Sequence, residues 1–388
     1  MKLAPFVVLA LVSPATADPV RLRADALATT TSPAGLLVLE ADGAMEPGLS
    51  AEAVVWFGGI REPERDATGD VLVIALRARD PKGRATAQLG RFVAMLGALR
   101  PTHVDGASGR LRLPKKLDVE AFAGVPVLPT TVDESRAWDW IVGGRVARRI
   151  GDYGSAGIAY LQRRDAGRLS AEELGVDVGA AFDRRTDLGV RVAYDLANPA
   201  IAEASVSTSH RRGAWRTELY ARHRAASHLL PATSLFSVLG DVPSQRAGGV
   251  LTWRAAPRLD VSADIAGRRV DDDLDEELVG RATLRLDERG ASALTGELRR
   301  TGGASGWTGA RGVARVAVTK SVTLSTELEL VIPDDDRGAG AVWPWGIVAA
   351  AWKRGGWESA VAIEASSSPE YRHRVDGLLQ LTRRWSAP

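Results

Sequence analysis

Arg258-Leu259-Asp260-Val261-Ser262-Ala263-Asp264-Ile265-Ala266-Gly267-Arg268 alternates two chemistries. Its odd positions carry Leu, Val, Ala, Ile and Gly, and its even positions carry Arg, Asp, Ser, Asp, Ala and Arg. Successive side chains of a strand point to opposite faces, so this segment predicts a strand with one apolar and one densely charged face. A half-buried strand of a soluble sheet alternates in the same way. Recurrence and punctuation decide between the two.

The dyad recurs along the chain with almost no helical period. Leu22, Ala24, Ala26 and Ala28 oppose Arg21, Arg23 and Asp25, and Val190, Val192 and Tyr194 oppose Arg191 and Asp195. Leu278, Gly280, Ala282, Leu284 and Leu286 oppose Arg281, Thr283, Arg285 and Asp287. Val322, Leu324, Thr326, Leu328 and Leu330 oppose Thr323, Ser325, Glu327 and Glu329; Trp357, Val361, Ile363 and Ala365 oppose Glu358 and Glu364. Segments of about ten residues with this alternation are the signature of a transmembrane β-barrel.

The connections alternate as well. Short polar ones fall at 80–83, 114–115, 151–154, 184–186, 211–213, 256–257, 288–289, 319–320 and 354–356. Longer ones fall between them, at 60–68, 95–107, 125–136, 164–170, 224–244, 269–274, 302–306, 332–339 and 366–370. Short periplasmic turns alternating with longer outer loops are a rule of outer-membrane barrels that a soluble sandwich has no reason to obey. The count predicts an all-β, antiparallel up-and-down barrel of roughly 16–22 strands, with both termini periplasmic. Residues 18–60 read as one strand or three, and 109–124 as either wall or a short inward hairpin.

The totals agree. Lys plus Arg number 50 against 48 Asp plus Glu, which argues against a nucleic-acid binder. The 40 Gly and 19 Pro suit a chain with many turns. Met1-Lys2, the apolar run Leu3–Val12 and Ala15-Thr16-Ala17 predict a cleaved signal peptide over 1–17, leaving 18–388 as a single barrel domain. An exported chain without cysteine must rely on burial and backbone pairing, which a closed ring of strands supplies. Trp138, Trp140, Trp215, Trp253, Trp307, Trp343, Trp345, Trp352, Trp357, Tyr371 and Trp385 lie mostly near predicted strand ends and read as interfacial girdles.

With these features the chain resembles a Gram-negative outer-membrane β-barrel of the porin type, over nearly all of 18–388. Val375, Gly377, Leu379, Leu381 and Trp385 resemble the terminal strand recognised by the barrel-assembly machinery, although Ser386-Ala387-Pro388 follow the aromatic. Gly90-Arg91-Phe92 with His103-Val104-Asp105-Gly106 is similar to a Gly-Arg…Asp-Gly stretch of some substrate-export porins, too short to assign a substrate. The resemblance implies outer-membrane lipid and lipopolysaccharide as surroundings and the assembly machinery as a partner in biogenesis.

If the apolar face meets lipid, the charged face lines a lumen. The selectivity candidates are Arg258, Asp260, Asp264, Arg268, Arg281, Arg285, Glu297, Arg299, Arg311, Arg315, Glu327 and Glu329. The longest loop, 224–244, is apolar enough to fold into the mouth, making Leu229, Leu230, Leu235 and Phe236 constriction candidates. Asp271, Asp272, Asp273, Asp334, Asp335 and Asp336 form two acidic runs whose clustered carboxylates could hold Ca²⁺ or Mg²⁺ through oxygen ligands and bridge lipopolysaccharide phosphates, but neither has EF-hand spacing, and solvated loops are the simpler reading. No cofactor motif is present in the sequence. The expectation is a non-enzymatic, porin-like channel for small hydrophilic solutes. The alternatives are a structural barrel with a closed lumen that scaffolds an envelope complex, or a barrel hydrolase using His210.

Overall fold

A computed structural model describes residues 20–29, 34–46, 48–60, 68–127, 139–226, 242–270, 273–303, 306–335, 342–367 and 373–385. Residues 1–17, the expected signal peptide, lie outside this set. The strands run in chain order. The first eight are β1 (Val20–Thr29), β2 (Ala34–Glu46), β3 (Leu49–Ile60), β4 (Thr68–Arg79), β5 (Ala85–Ala94), β6 (Thr102–Leu113), β7 (Leu117–Pro126) and β8 (Trp140–Ile150). Next come β9 (Gly154–Asp165), β10 (Arg168–Ala181), β11 (Thr186–Asp195), β12 (Ala200–Arg212), β13 (Trp215–Arg224), β14 (Ser244–Ala256) and β15 (Leu259–Val270). The last seven are β16 (Asp273–Arg285), β17 (Ala293–Thr301), β18 (Trp307–Ala317), β19 (Val322–Pro333), β20 (Trp343–Arg354), β21 (Trp357–Ser366) and β22 (Arg374–Trp385).

Each strand pairs antiparallel with its neighbour in sequence, and β1 pairs with β22 from Val20↔Trp385 to Thr29↔Asp376. The sheet therefore closes on itself as a 22-stranded barrel, at the upper end of the expected range. Closure leaves no strand edge unpaired, which is the condition for crossing a bilayer with strands. Residues 18–60 resolve into three strands, and 109–124 belongs to the wall, as parts of β6 and β7 paired from Val104↔Pro126 to Leu113↔Leu117. The inward-hairpin alternative is excluded there.

The alternation of connections holds for most of the barrel. One rim carries tight turns such as 114–116, 151–153, 213–214, 257–258 and 355–356, and the other carries the longest connections. The expected long connections 164–170 and 269–274 instead leave only 166–167 and 271–272 between strands, and 286–292 on the first rim is a longer link than expected. Gly355 and Gly356 take φ of +55° and +82°, the mirror-image turn whose twist matches two paired strands. Chain direction then places β1 starting, and β22 ending, at the short-turn rim.

The two faces differ in kind. Ile265, Leu298, Leu328, Val348 and Ile363 point outward and are 60–67 % exposed. So wide a band of bare aliphatic side chains is unstable in water and suits hydrocarbon. The opposite face carries most of the charge. At the short-turn end, Trp215 and Trp253 stack outward with ring centroids 5.4 Å apart, and Arg383 lies 4.8 Å from the outward ring of Trp357.

Candidate functional site: the lumen wall

β15 shows how the site is built. Asp260 and Asp264 lie on the face opposite the outward Ile265, and the register carries that face across the sheet: Asp264↔Val279, Arg281↔Glu297, Glu297↔Arg311, Arg311↔Glu329. Because the side-chain period is two, one correct face assignment fixes all of these. The result is a lattice of cross-strand ion pairs on the inner wall from β13 to β19. Tyr220 donates to Asp264 at 2.9 Å, and Arg246 bridges Asp264 at 3.5 Å and Glu277 at 2.7 Å. Asp260 accepts from Arg285 and, at 3.4 Å, from Arg254. Glu297, 5 % exposed, is held between Arg281 and Arg299, and Arg299 reaches Glu329 at 3.6 Å. Arg311 Nε donates to Glu327 at 2.5 Å. Arg258 sits in the turn before β15 and reaches Glu288 at 3.4 Å. Arg268 and Arg315 share the inner face but make no ion pair among the described residues. A cavity of about 350 Å³ opens onto this wall beside Asp264, Glu277, Arg281, Glu297, Arg299 and Trp307.

The opposite arc is filled. The connection from β5 to β6, residues 95–101, folds inward rather than outward. Leu96, Ala98 and Leu99 are 5–8 % exposed, and Leu99 N–H closes a turn onto the Leu96 carbonyl at 3.0 Å. Leu96 and Leu99 join Phe92, Val104, Phe122, Ile141, Ala159 and Leu161 in an apolar cluster on the inner faces of β5 to β9. Glycines make room for it. A methyl added to Gly175 would stand 2.8 Å from Leu99 Cδ2, and one on Gly143 would stand 2.9 Å from Leu96 Cδ1. Gly97, at φ +57°, rests against a pair in which Arg145 donates twice to Asp177, at 3.0 and 2.6 Å. Arg100 then pins the loop to Glu173 at 3.1 Å, where the carboxylate is only 3 % exposed. Below the loop a second cavity, of about 550 Å³, is lined by Arg77, Gln88, Arg110, Glu120 and Phe122.

The expected constriction residues Leu229, Leu230, Leu235 and Phe236 lie outside the described residues. The inward segment that the structure does describe comes from a loop that sequence reading placed outside. Its own signal is Met95-Leu96-Gly97-Ala98-Leu99, too apolar for an exposed turn and hinged on a glycine. The aromatic reading also needs correction. Trp307, Trp343 and Trp345 stand at strand ends on the long-loop side, but their register (Trp345↔Glu329, Trp307↔Pro333) turns them inward. Trp345 Nε1 donates to Glu364 at 2.6 Å.

Other candidates separate cleanly. Arg91 donates twice to Asp105, at 2.7 and 2.8 Å, and once to Asp70 at 3.0 Å; this clamp lies on the face opposite Phe92 and Val104, outside the lumen. Asp271, Asp272 and Asp336 lie outside the described residues, while Asp273 begins β16. Asp334 is engaged by Arg300 and Asp335 follows it; among the described residues no cluster of three metal-type ligands occurs. The Arg300 guanidinium holds the Asp334 carboxyl below the usual carboxylate range. His210 meets Thr186 Oγ1 at 3.0 Å, and as an adjacent strand residue it faces away from Ser209.

No family model and no curated protein matches the sequence. Among solved structures, the chain is similar to the translocation pore of the P pilus usher PapC, with a TM-score of 0.54 at 8 % identity, over 95 % of this chain and 99 % of that one. It is also similar to OpdK of Pseudomonas aeruginosa, solved with vanillate, with a TM-score of 0.43 at 11 % identity, over 95 % and 97 % of the two chains. The likeness to the usher pore shows the fold: this chain is an outer-membrane-type β-barrel.

Proposed function

We propose that the protein is a channel of the Gram-negative outer membrane, passing small hydrophilic solutes through the part of its lumen that the inward loop leaves open. The observation that carries this reading is the unequal filling of the interior. Apolar side chains and the 95–101 segment occupy the arc of β5 to β10, whereas the inner wall of β13 to β19 presents ion pairs with no described segment over them. A ring of 22 strands encloses more space than its own side chains fill, and a charged wall is stable beside water. Solutes would then be sorted by size at the loop and by the field of the wall. The fold shared with a translocation pore supports the same reading. Outer-membrane lipid and lipopolysaccharide are its surroundings, and the barrel-assembly machinery is its partner during insertion. No catalytic role is assigned.

Reconstitution of the folded, detergent-extracted protein into a planar bilayer tests this. Stepwise single-channel current is expected. A folded barrel that passes no current would instead be the closed scaffold.

A further inference from the structure

Carboxylates and arginines are not matched evenly on the inner wall. On the half of the lumen nearer the short-turn rim, each described inner carboxylate except Asp187 is paired with a cation. Glu52 pairs with Arg77, Asp118 with Arg110 and Arg112, and Asp260 with Arg254 and Arg285. Glu218 pairs with Arg216, Glu358 with Lys353 and Arg384, and Asp187 accepts from the Ser209 hydroxyl at 2.5 Å. The cations are in surplus. Arg149, Arg191, Arg211 and Arg315 face inward by register, are exposed, and have no ion-pair partner among the described residues. Arg191 stands at mid-strand; the other three stand within three residues of the short-turn ends of β8, β12 and β18.

The rim beyond them has the same sign. Lys82, Lys115, Arg184, Arg185, Arg289 and Lys320 are exposed in its turns, again without ion-pair partners among the described residues. The acids of those turns are engaged locally: Asp183 accepts from the backbone N–H of Arg185 and Thr186, and Asp287 from those of Ala291 and Ser292. Lys115 and Lys116 hold left-handed backbone at φ 62° and 61°, a conformation that a glycine would take without strain, yet lysine stands at both. The long-loop side is opposite in sequence: Glu62, Glu64, Asp66, Asp133, Glu134, Asp271, Asp272, Asp334, Asp335 and Asp336 in its connections outnumber Arg61, Arg65, Arg136 and Arg337 beside them.

A net excess of one sign at a mouth and along a low-dielectric wall concentrates counter-ions there. We propose that the channel selects anions, taking up anionic solutes at the short-turn mouth, with Arg149, Arg191, Arg211 and Arg315 as the selectivity residues. This rests on the channel reading and names its solute class. Their guanidiniums remain charged throughout the working pH range, so the preference persists up to high pH.

The test is the reversal potential of single channels across a tenfold KCl gradient. The native protein is expected to pass chloride in preference to potassium. The R149Q/R191Q/R211Q/R315Q variant is expected to lower the chloride-to-potassium permeability ratio by about twofold or more. Replacing the same four by Lys is expected to retain it, and so is R148Q, whose side chain faces outward. If the fourfold Gln variant does not fold, R191Q and R315Q separately are each expected to lower the ratio. Native channels that prefer potassium or discriminate neither ion would overturn the inference and leave the channel reading standing. An anion preference that the Gln variants do not move would overturn the assignment of these residues. Absence of any current would remove the channel reading and this inference with it.

Discussion

Two arcs of the same wall use their inward side chains differently. From β5 to β10 the inner face carries Phe92, Phe122, Ile141 and Leu161 and is covered by Leu96 and Leu99 from the inward loop. From β13 to β19 it carries Tyr220, Arg246, Asp264, Arg281, Glu297, Arg311 and Glu327, cross-linked to one another. The outer faces of the two arcs are alike, with Leu89 and Ile158 on one as bare as Leu298 and Leu328 on the other. Lipid imposes one composition on every strand, whereas the interior is free to be either a packed core or a wetted wall. The barrel holds a packed apolar arc and an ion-paired arc, side by side.

The sharpest way to break the contrast is to release the loop. Substituting Arg100→Met leaves Glu173 buried without its cation, a change that costs about 3–5 kcal/mol when such a pair is broken. The expected outcome is undocking of residues 95–101 and a larger single-channel conductance, with heat-modifiable gel mobility intact. Conductance unchanged in a folded variant would show that the loop does not narrow the passage. Next in size is the test of faces on the charged arc. Ile265→Arg is expected to destabilise the barrel by about 2–4 kcal/mol in urea titrations in lipid vesicles, while Ser262→Arg on the inner face is tolerated. Equal effects at the two positions would remove the distinction between lipid and lumen.

Most of the wall was legible from the dyad because the period of two is strict. Once Ile265 is outside, Asp264 is inside, and pairing propagates that choice to Glu297 and Arg311. The misreadings have different causes. Trp307, Trp343 and Trp345 read as girdle residues from their position at strand ends alone, but alternation sets the face, and Trp307 shares the odd face of Arg311 and Arg315. The 95–107 connection reads as an outer loop because the parity of turns places it on the long-loop side. Its burial depends on Gly143 and Gly175, which lie on strands about fifty to eighty residues later, and on Glu173 beside them.

Smaller effects refine the comparison. A double-mutant cycle on Arg311 and Glu327 is expected to give a coupling of only about 0.2–1 kcal/mol, since a wall open to water screens its pairs. A coupling several times larger would mean that this arc is as dry as the other. The smallest effect concerns the short-turn rim. Backbone N–H donors of Arg185 and Thr186 hold the Asp183 carboxyl below its ordinary value. A depressed folded value adds stability that is present above the unfolded pKa of about 3.9 and is lost as pH falls through the lower folded one. In acid, Asp183→Asn is therefore expected to match the native protein, with a slight loss only at neutral pH, read as amide exchange in the 182–186 turn.

The seam between β1 and β22 has a consequence in time. It joins Val20 to Trp385, the ends of the described chain, through ten register pairs. Every other strand finds a partner among its immediate neighbours, and contacts so local form quickly; this one spans the whole sequence and must form late. Until it does, each of the two strands offers an unpaired edge, the template on which another chain can add. The hazardous species in the life of this protein is thus the nearly finished barrel, and whatever hastens or shields that last pairing governs its yield.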